Sequence, residues 1–175
     1  MEDTKIRDEL VLETDNNEDN TFFDGDMLEE VEEIIENGQR YLTFELDKED
    51  YGVKIEYVIE IIGIQDITHL PGMPQYVRGL LNLRGRIIPI IDARLKFGKV
   101  VKEYNERTCV VVLEISNIMV GVVVDTISDV VNIKDSEIEE APNIGKIKAN
   151  KYIKEIAKVD KKVKLLIDCE KLINE

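Results

Sequence analysis

The sequence predicts a mainly all-β body of two related five-stranded barrels with short helices, preceded by an acidic N-terminal arm. Short runs rich in Val, Ile and Leu are separated by Gly, Pro and Asn, which is the pattern of strands and tight turns in a small barrel. The body also contains an internal repeat, because residues 42–46 and 51–66 match residues 111–115 and 120–135 at a constant offset of 69. One unit alone would bury little apolar surface, so we expect the barrels to share a core and leave a groove at their junction.

The 175-residue chain divides into an arm, residues 1–38, and a body, residues 39–175. Within the body the two units are expected at about residues 39–98 and 107–175, and the sequence leaves open whether they exchange strands. The arm has 15 acidic and two basic residues and carries −13 of the net charge of −14. Neither the acidic arm nor the nearly neutral body suits nucleic acid as a partner, because binding it requires a basic surface.

The arm has two parts. Residues 1–23 are polar, with Asn and Asp clustered, and are predicted to be disordered. Residues 26–37 predict an amphipathic helix, because Asp26 and Glu29 have capping-box spacing and the apolar residues fall on one face. We expect this face to pack on the body, since most amphipathic helices are covered by their own domain. A docking helix for a partner is the alternative.

Each unit of the body is predicted to follow the same element order. A strand leads through a short turn, at Lys48-Glu49 in the first unit and Ser116-Asn117 in the second, into another strand. Gly52 and Gly121 lie inside those second strands, where we expect bulges or sharp bends. A segment ambiguous between strand and helical turn follows. The unit continues with a strand, a proline region, a hairpin and a helical turn, which Asp92 begins in the first unit.

The strongest local signal is the hairpin of the first unit. Residues 80–83 and 87–91 are apolar, β-prone runs that flank the polar tip formed by residues 84–86. Gly85 can adopt the positive φ that a tight turn requires. Pro89 cannot donate a ladder hydrogen bond, so its strand is expected to lie at a sheet edge or to bulge there.

The tip of this hairpin differs between the two units. Where the first unit has Arg84-Gly85 the second has Asp160-Lys161, and Glu155 stands at the position of Gly79. A charged residue in a turn is most simply a solvated side chain. If the fold required an arginine there, both copies should have one. Because only one unit has the arginine, we consider partner binding by Arg84 as plausible as a purely solvated side chain.

The composition argues against a membrane protein and against an enzyme. No apolar run approaches the ~20 residues of a membrane span, so we expect a cytoplasmic protein without direct membrane insertion. Cys109 and Cys169 lie among aliphatic residues and are predicted to be reduced core residues rather than a disulfide or metal pair. His69 is the only histidine, which excludes a two-His metal site or a His-based proton relay within one chain. Gly72 and Gly79 lack the spacing of a phosphate-binding loop, and we expect no catalysis and no cofactor.

Several segments of the body resemble CheW, the coupling protein of bacterial chemotaxis. The matching segments are residues 51–53 with 58–61, Gly-x-x-Asn-Leu-Arg-Gly at 79–85, Pro-Ile-Ile-Asp at 89–92, Val-Asp-x-x-Ser-Asp-Val at 124–130, and Lys-Leu-Ile-Asn at 171–174. The hairpin motif and the Val-Asp-x-x-Ser-Asp-Val block are specific in combination. The resemblance covers residues 39–174 and leaves the arm unexplained.

The resemblance implies two intertwined SH3-like barrels. It also implies a non-catalytic adaptor that couples methyl-accepting chemotaxis receptors to the regulatory domain of the histidine kinase CheA and is recruited to receptor arrays through these partners. The residues that it assigns to partner binding are Val58, Glu60, Gly79, Asn82, Arg84, Gly85 and Val130. A buried aliphatic patch of Val58 and Val130 could hold a receptor helix by its apolar stripe, and Arg84 could bind a carboxylate in a bidentate contact.

Other functions remain as alternatives. The regulatory domain of a CheA-type kinase has the same fold, although no ATP-binding or phosphotransfer segment lies in these 175 residues. A generic SH3-like binding module is a further alternative. An RNA-binding barrel is disfavoured, because the chain is acidic and only 6% of its residues are aromatic.

Overall fold

The structure is a computed structural model, and it describes residues 38–142 and 151–175. The predictions for residues 1–37, including the helix at 26–37, lie outside the described residues. The strands are β1 Gly38–Leu46, β2 Glu49–Lys54, β3 Val58–Gly63, β4 Val77–Leu83, β5 Arg86–Asp92, β6 Cys109–Ile115, β7 Ile118–Val124, β8 Thr126–Lys134, β9 Ile138–Glu140, β10 Ile153–Val159 and β11 Lys162–Ile167. The helices are α1 Ala93–Lys96 and α2 Cys169–Asn174, and 3-10 turns lie at Ile55–Tyr57 and Asp135–Glu137.

The strands form two sheets, which confirms the predicted mainly-β fold. The strand order is β8-β1-β2-β11-β10-β9 in the six-stranded sheet and β3-β6-β7-β5-β4 in the five-stranded sheet. Each sheet contains strands from both repeat units, because the parallel pairs β2–β11 and β5–β7 join strands that are distant in sequence. The chain therefore passes from one sheet to the other between β2 and β3, and again between β7 and β8.

The element order of the two units matches. Both end in a short helix that an aspartate caps: the Asp92 side chain accepts from the Leu95 N–H, and the Asp168 side chain accepts from the Lys171 N–H. The prediction that Asp92 begins a helical turn is thus confirmed. The described part of the chain contains no helix long and apolar enough to cross a membrane.

Tight two-residue turns join β1 to β2, β4 to β5, β6 to β7 and β10 to β11, and both residues of each turn have positive φ. They are Asp47-Lys48, Arg84-Gly85, Ser116-Asn117 and Asp160-Lys161. This is the geometry of type I′ turns, whose twist matches that of the flanking strands. The first turn lies one residue earlier than the predicted Lys48-Glu49, and the predicted turn at Ser116-Asn117 is confirmed.

Bulges or sharp bends were predicted at Gly52 and Gly121, and the bulges are wrong. Both glycines lie in ladders that continue without a register shift. Their parallel ladder partners are Leu166 and Ile90. A Cβ on Gly52 would lie 2.9 Å from Leu166 Cδ2, and a Cβ on Gly121 would overlap Ile90 Cδ1. A side chain from the other repeat unit lies close to each glycine, so a larger residue there would have to displace it.

The prediction for Pro89 is also wrong, since β5 lies between β7 and β4 and is not an edge strand. Pro89 is tolerated because neither neighbouring strand, β4 or β7, accepts a ladder hydrogen bond from the backbone nitrogen of this residue. Leu80, its antiparallel partner, exchanges backbone hydrogen bonds with Thr68 on the other side, and the ladder with β7 begins only at Ile90. The bulge lies in β4 instead, where the register shifts after Val77.

The shared core of the two barrels is confirmed. The largest apolar cluster combines residues of both sheets, among them Leu42, Phe44, Val53, Val111, Leu113 and Val122. The rings of Phe44, Tyr51, Phe97 and Tyr152 contact one another in succession through it, with ring centroids 5.4–6.0 Å apart; the first two pairs are stacked and the Phe97–Tyr152 pair is tilted. Smaller clusters fill each barrel separately. Cys169 is buried in the shared core, whereas Cys109 is only half-buried at its border.

Candidate partner-binding site

Arg84 is the first residue of the β4–β5 turn and points into solvent, with 79% of its side chain exposed. Its φ of 50° lies in the left-handed region, which costs a non-glycine residue roughly 1–2 kcal/mol. The Arg84 Nη2 donates to Glu60 Oε2 at 2.9 Å, the one hydrogen bond of this guanidinium within the described part of the chain. Because a guanidinium carries five N–H donors, most of them remain available to a partner.

Glu60 holds Arg84 from across the barrel. It lies in β3, with 20% of its side chain exposed. The strands β3 and β4 are at opposite ends of the five-stranded order, so the Glu60–Arg84 contact joins the two edges of this sheet. Such a contact requires the sheet to curl on itself, as it does in a barrel.

Asn82 and Gly85 shape the turn from which Arg84 projects. The Asn82 Oδ1 accepts a hydrogen bond from the Gly85 N–H at 2.9 Å. Gly85 has a φ of 84°, and a Cβ added to it would meet nothing within 4 Å, so glycine is favoured here by the backbone conformation and not by close packing. The structure thus brings Glu60, Asn82, Arg84 and Gly85 together at one end of the five-stranded barrel.

Gly79 has a packing role in the structure. It is buried, its φ is 140°, and a Cβ would overlap the carbonyl of Thr68. Leu80, which follows Gly79 in the chain, exchanges backbone hydrogen bonds of 2.8 and 2.9 Å with Thr68. Gly79 therefore allows this close backbone approach, and its role in partner binding stays a prediction.

Val58 and Val130 lie in different sheets and differ in burial. Val58 is half-buried at the start of β3 and packs against the shared core. Val130 is 44% exposed, so the prediction that both valines form a buried patch is wrong. The reason is that β8 is an edge strand, in which Val131 and Ile133 face the core and Val130 faces outward.

Three exposed isoleucines lie in the strands that carry this site, and sequence reasoning missed them. Ile59 and Ile61 flank Glu60 in β3 and are 49% and 42% exposed. Ile87 is 61% exposed and pairs with Asn82 across the hairpin. The run from Val58 to Ile62 is apolar except for Glu60, so it gave no alternation from which an outward face could be read.

Comparison with known proteins decides the family. A family model described as a CheW-like domain matches residues 40–175. The chain belongs to the CheW-like family. The CheW resemblance seen in the sequence is thereby confirmed.

Relatives of the CheW-like family cover most of the chain. The chemotaxis protein CheW of Klebsiella aerogenes is 38% identical over 137 residues, which are 78% of this chain and 82% of that protein. The chemotaxis protein CheW of Bacillus subtilis is 28% identical over 81% of this chain and 90% of its own length. The solved scaffolding protein TtCheW of Thermoanaerobacter tengcongensis matches with a TM-score of 0.74 and 30% identity, covering 79% of this chain and 94% of its own. This match confirms the SH3-like barrel fold.

Proposed function

We propose that this chain is a non-catalytic chemotaxis adaptor that couples the cytoplasmic tips of chemoreceptors to the regulatory domain of the histidine kinase CheA. Its curated relatives bear the name chemotaxis protein CheW, and the matching solved structure is titled a scaffolding protein. The adaptor works in the cytoplasm and reaches the membrane receptor arrays through its partners. Its candidate binding residues are Val58, Glu60, Gly79, Asn82, Arg84, Gly85 and Val130.

The observation that carries the proposal is an exposed arginine in a strained turn. An ion pair this exposed contributes only about 0–1 kcal/mol to stability, which is less than or similar to the backbone cost of Arg84. The other three turns have the same left-handed backbone, so what distinguishes this tip is its exposed arginine side chain, which only Glu60 contacts through a hydrogen bond among the described residues. The equivalent turn of the second repeat unit, Asp160-Lys161 between β10 and β11, has the same geometry without an arginine.

The site has the components of a protein interface. Arg84 offers free donors that suit a partner carboxylate, and Glu60 holds the guanidinium in one orientation. Ile87, which pairs with Asn82 beside the tip, adds exposed apolar area, and an arginine next to apolar contacts is a common centre of binding energy.

Replacing Arg84 tests the proposal. Arg84→Ala should shift stability by no more than about 0.5 kcal/mol, because the side chain is largely solvated. Loss of a charge-assisted contact at an interface should cost roughly 1.5–3 kcal/mol, about tenfold to over a hundredfold in affinity. The measurements are thermal melting and binding titrations with purified CheA regulatory domain and receptor cytoplasmic fragments.

Lys161→Ala is the matched control, because Lys161 also lies in a type I′ turn, at the tip of the second unit. We expect it to be close to silent in melting and in binding. A large drop in melting temperature for Arg84→Ala would make the arginine structural. Equal, normal binding by both variants would refute the site. Nucleotide hydrolysis by the pure chain that a point mutation abolishes would refute the non-catalytic assignment.

A further inference from the structure

Arg94 is the centre of an ionic cluster with Asp125 and Asp47, and its pair with Asp125 is largely buried. It lies in α1, and only 9% of its side chain is exposed. Its Nη1 pairs with Asp125 Oδ2, its Nη2 lies 3.4 Å from Asp47 Oδ1, and its Nε donates to the Val100 carbonyl at 3.0 Å. The guanidinium is therefore held in three directions by groups from three separate segments.

These segments belong to different sheets. Arg94 follows β5 of the five-stranded sheet, and Asp47 lies in the β1–β2 turn of the six-stranded sheet. Asp125 is the single residue between β7 and β8, where the chain passes from one sheet to the other. Its carboxylate also accepts from the Asp47 N–H at 3.0 Å, and its own N–H donates to the Glu45 carbonyl at 3.2 Å. One cluster, largely buried at the Arg94–Asp125 pair and exposed at Asp47, thus ties both barrels to the second crossover.

The first crossover, between β2 and β3, has no such cluster among the residues that the structure describes. By the repeat, Glu56 stands at the position of Asp125, Ser116 at that of Asp47 and Glu170 at that of Arg94. All three are exposed, and within the described residues none of them takes part in an ion pair. The barrels are therefore fixed ionically at one crossover and joined by apolar packing at the other.

We propose that Arg94 and Asp125 are positioning residues that set the angle between the two barrels, and with it the surface met by a partner that contacts both. The reason is that separating Arg94 from Asp125 would leave an uncompensated charge in a low-dielectric site, which is energetically costly. Apolar contacts are non-directional and therefore define the angle between the barrels less strictly. The consequence for partner binding rests on the proposed adaptor function, whereas the angle itself does not.

The angle can be measured on the free protein by the distance between two spin labels. Ile87→Cys in β5 and Val163→Cys in β11 are suitable sites, because they are repeat-equivalent and are 61% and 52% exposed. Cys109→Ser removes the half-buried thiol. Cys169 can stay, since burial raises the pKa of its thiol to about 12 and leaves it unreactive at neutral pH.

Asp125→Ala is the test variant and Asp50→Ala its matched control. Both carboxylates are similarly buried, at 14% and 17% exposure, but Asp50 pairs with Lys164 inside the six-stranded sheet. We expect a single narrow distance distribution for the parent and for Asp50→Ala, and a shifted or broader one for Asp125→Ala. A distribution unchanged by Asp125→Ala, or changed as much by Asp50→Ala, overturns the proposal.

If Asp125→Ala does not fold, Arg94→Met provides the same test, because it removes the charge and keeps much of the volume. Failure of both to fold would make the cluster a stability element and overturn its positioning role. Titration with a receptor cytoplasmic fragment then asks whether a shifted angle weakens binding. If the parent protein binds neither receptor nor kinase fragments, the proposed function fails, and the distance result still decides the role of Arg94 and Asp125.

Discussion

At Gly121 the packing leaves no room for a side chain. A Cβ there would overlap Ile90 Cδ1 and lie 2.8 Å from Val110 Cγ1, both in the tightly packed interior of the five-stranded barrel. Gly121→Ala should therefore lower the free energy of unfolding by about 1–3 kcal/mol, as overpacking of a core does. Chemical denaturation of the variant and the parent measures this change.

Gly63→Ala is the control for that substitution. Gly63 also lies in a strand of the same sheet, but a Cβ on it would meet nothing within 4 Å. Because alanine loses less backbone entropy on folding than glycine, this variant should be neutral or slightly more stable. Similar denaturation midpoints for Gly121→Ala and Gly63→Ala would contradict the close approach of β5 and β7.

Residue-scale predictions from sequence succeeded where the cause was local or could be compared between repeats. The repeat singled out Arg84, whose exposure could be anticipated from a turn between two strands. Gly52 and Gly121 were recognised as special, but their reason lay in parallel partners from the other unit, which local sequence does not reveal. Arg94 was missed because its partners, Asp47 and Asp125, are 47 and 31 residues away.

At the scale of elements, the turn of the β4–β5 hairpin contains a residue, Arg84, that we expect to favour binding at a cost in stability. In type I′ turns Asn-Gly is the favoured central pair, because asparagine tolerates positive φ better than arginine. Arg84→Asn should therefore melt at or above the temperature of the parent, with a gain of up to about 1 kcal/mol from relief of backbone strain. It should also lose binding as Arg84→Ala does. A lower melting temperature for Arg84→Asn would mean that the Glu60 ion pair contributes more than the strain costs.

The sequence predicted elements better than it predicted their pairing. The hairpin, its turn and the capped helical turn after it were all predicted, because each depends on a few adjacent residues. The parallel pairs β2–β11 and β5–β7 were not, since such pairs join distant segments and leave no turn signal. Pro89 illustrates the limit, because its tolerance depends on Thr68 bonding to the far side of β4.

Over the whole molecule, burial of phenols and a thiol couples folding to alkaline pH. Burial, with nearby Glu155, raises the pKa of Tyr41 to about 12, and burial raises the pKa of the Cys169 thiol to about 12. Burial raises the pKa of Tyr51 and Tyr104 as well, and each of these phenols also donates to a carboxylate, Tyr51 to Glu49 and Tyr104 to Asp92. All four groups stay protonated in the folded chain at a pH where the unfolded chain loses those protons.

The sign of the pH dependence follows from these raised pKa values. Below the ordinary pKa values of about 8.5 for cysteine and 10 for tyrosine, the folded and the unfolded chain both keep these protons. In that range these groups do not make the free energy of unfolding depend on pH. Above them the unfolded state binds fewer protons, so stability falls as pH rises towards 12. Each group adds a slope of up to about 1.4 kcal/mol per pH unit in that window.

Denaturant titrations between pH 8 and 11 should therefore give a stability that is flat at first and then falls. Tyr41→Phe keeps the buried ring but removes one titrating proton, so its curve should fall less steeply above about pH 10. Tyr57→Phe is the control, because Tyr57 also has a raised pKa but is only half-buried, and its phenol should contribute less to the slope. If Tyr41→Phe falls as steeply as the parent, the Tyr41 hydroxyl is open to solvent and the interior of the six-stranded barrel is less closed than the packing of Tyr41 requires.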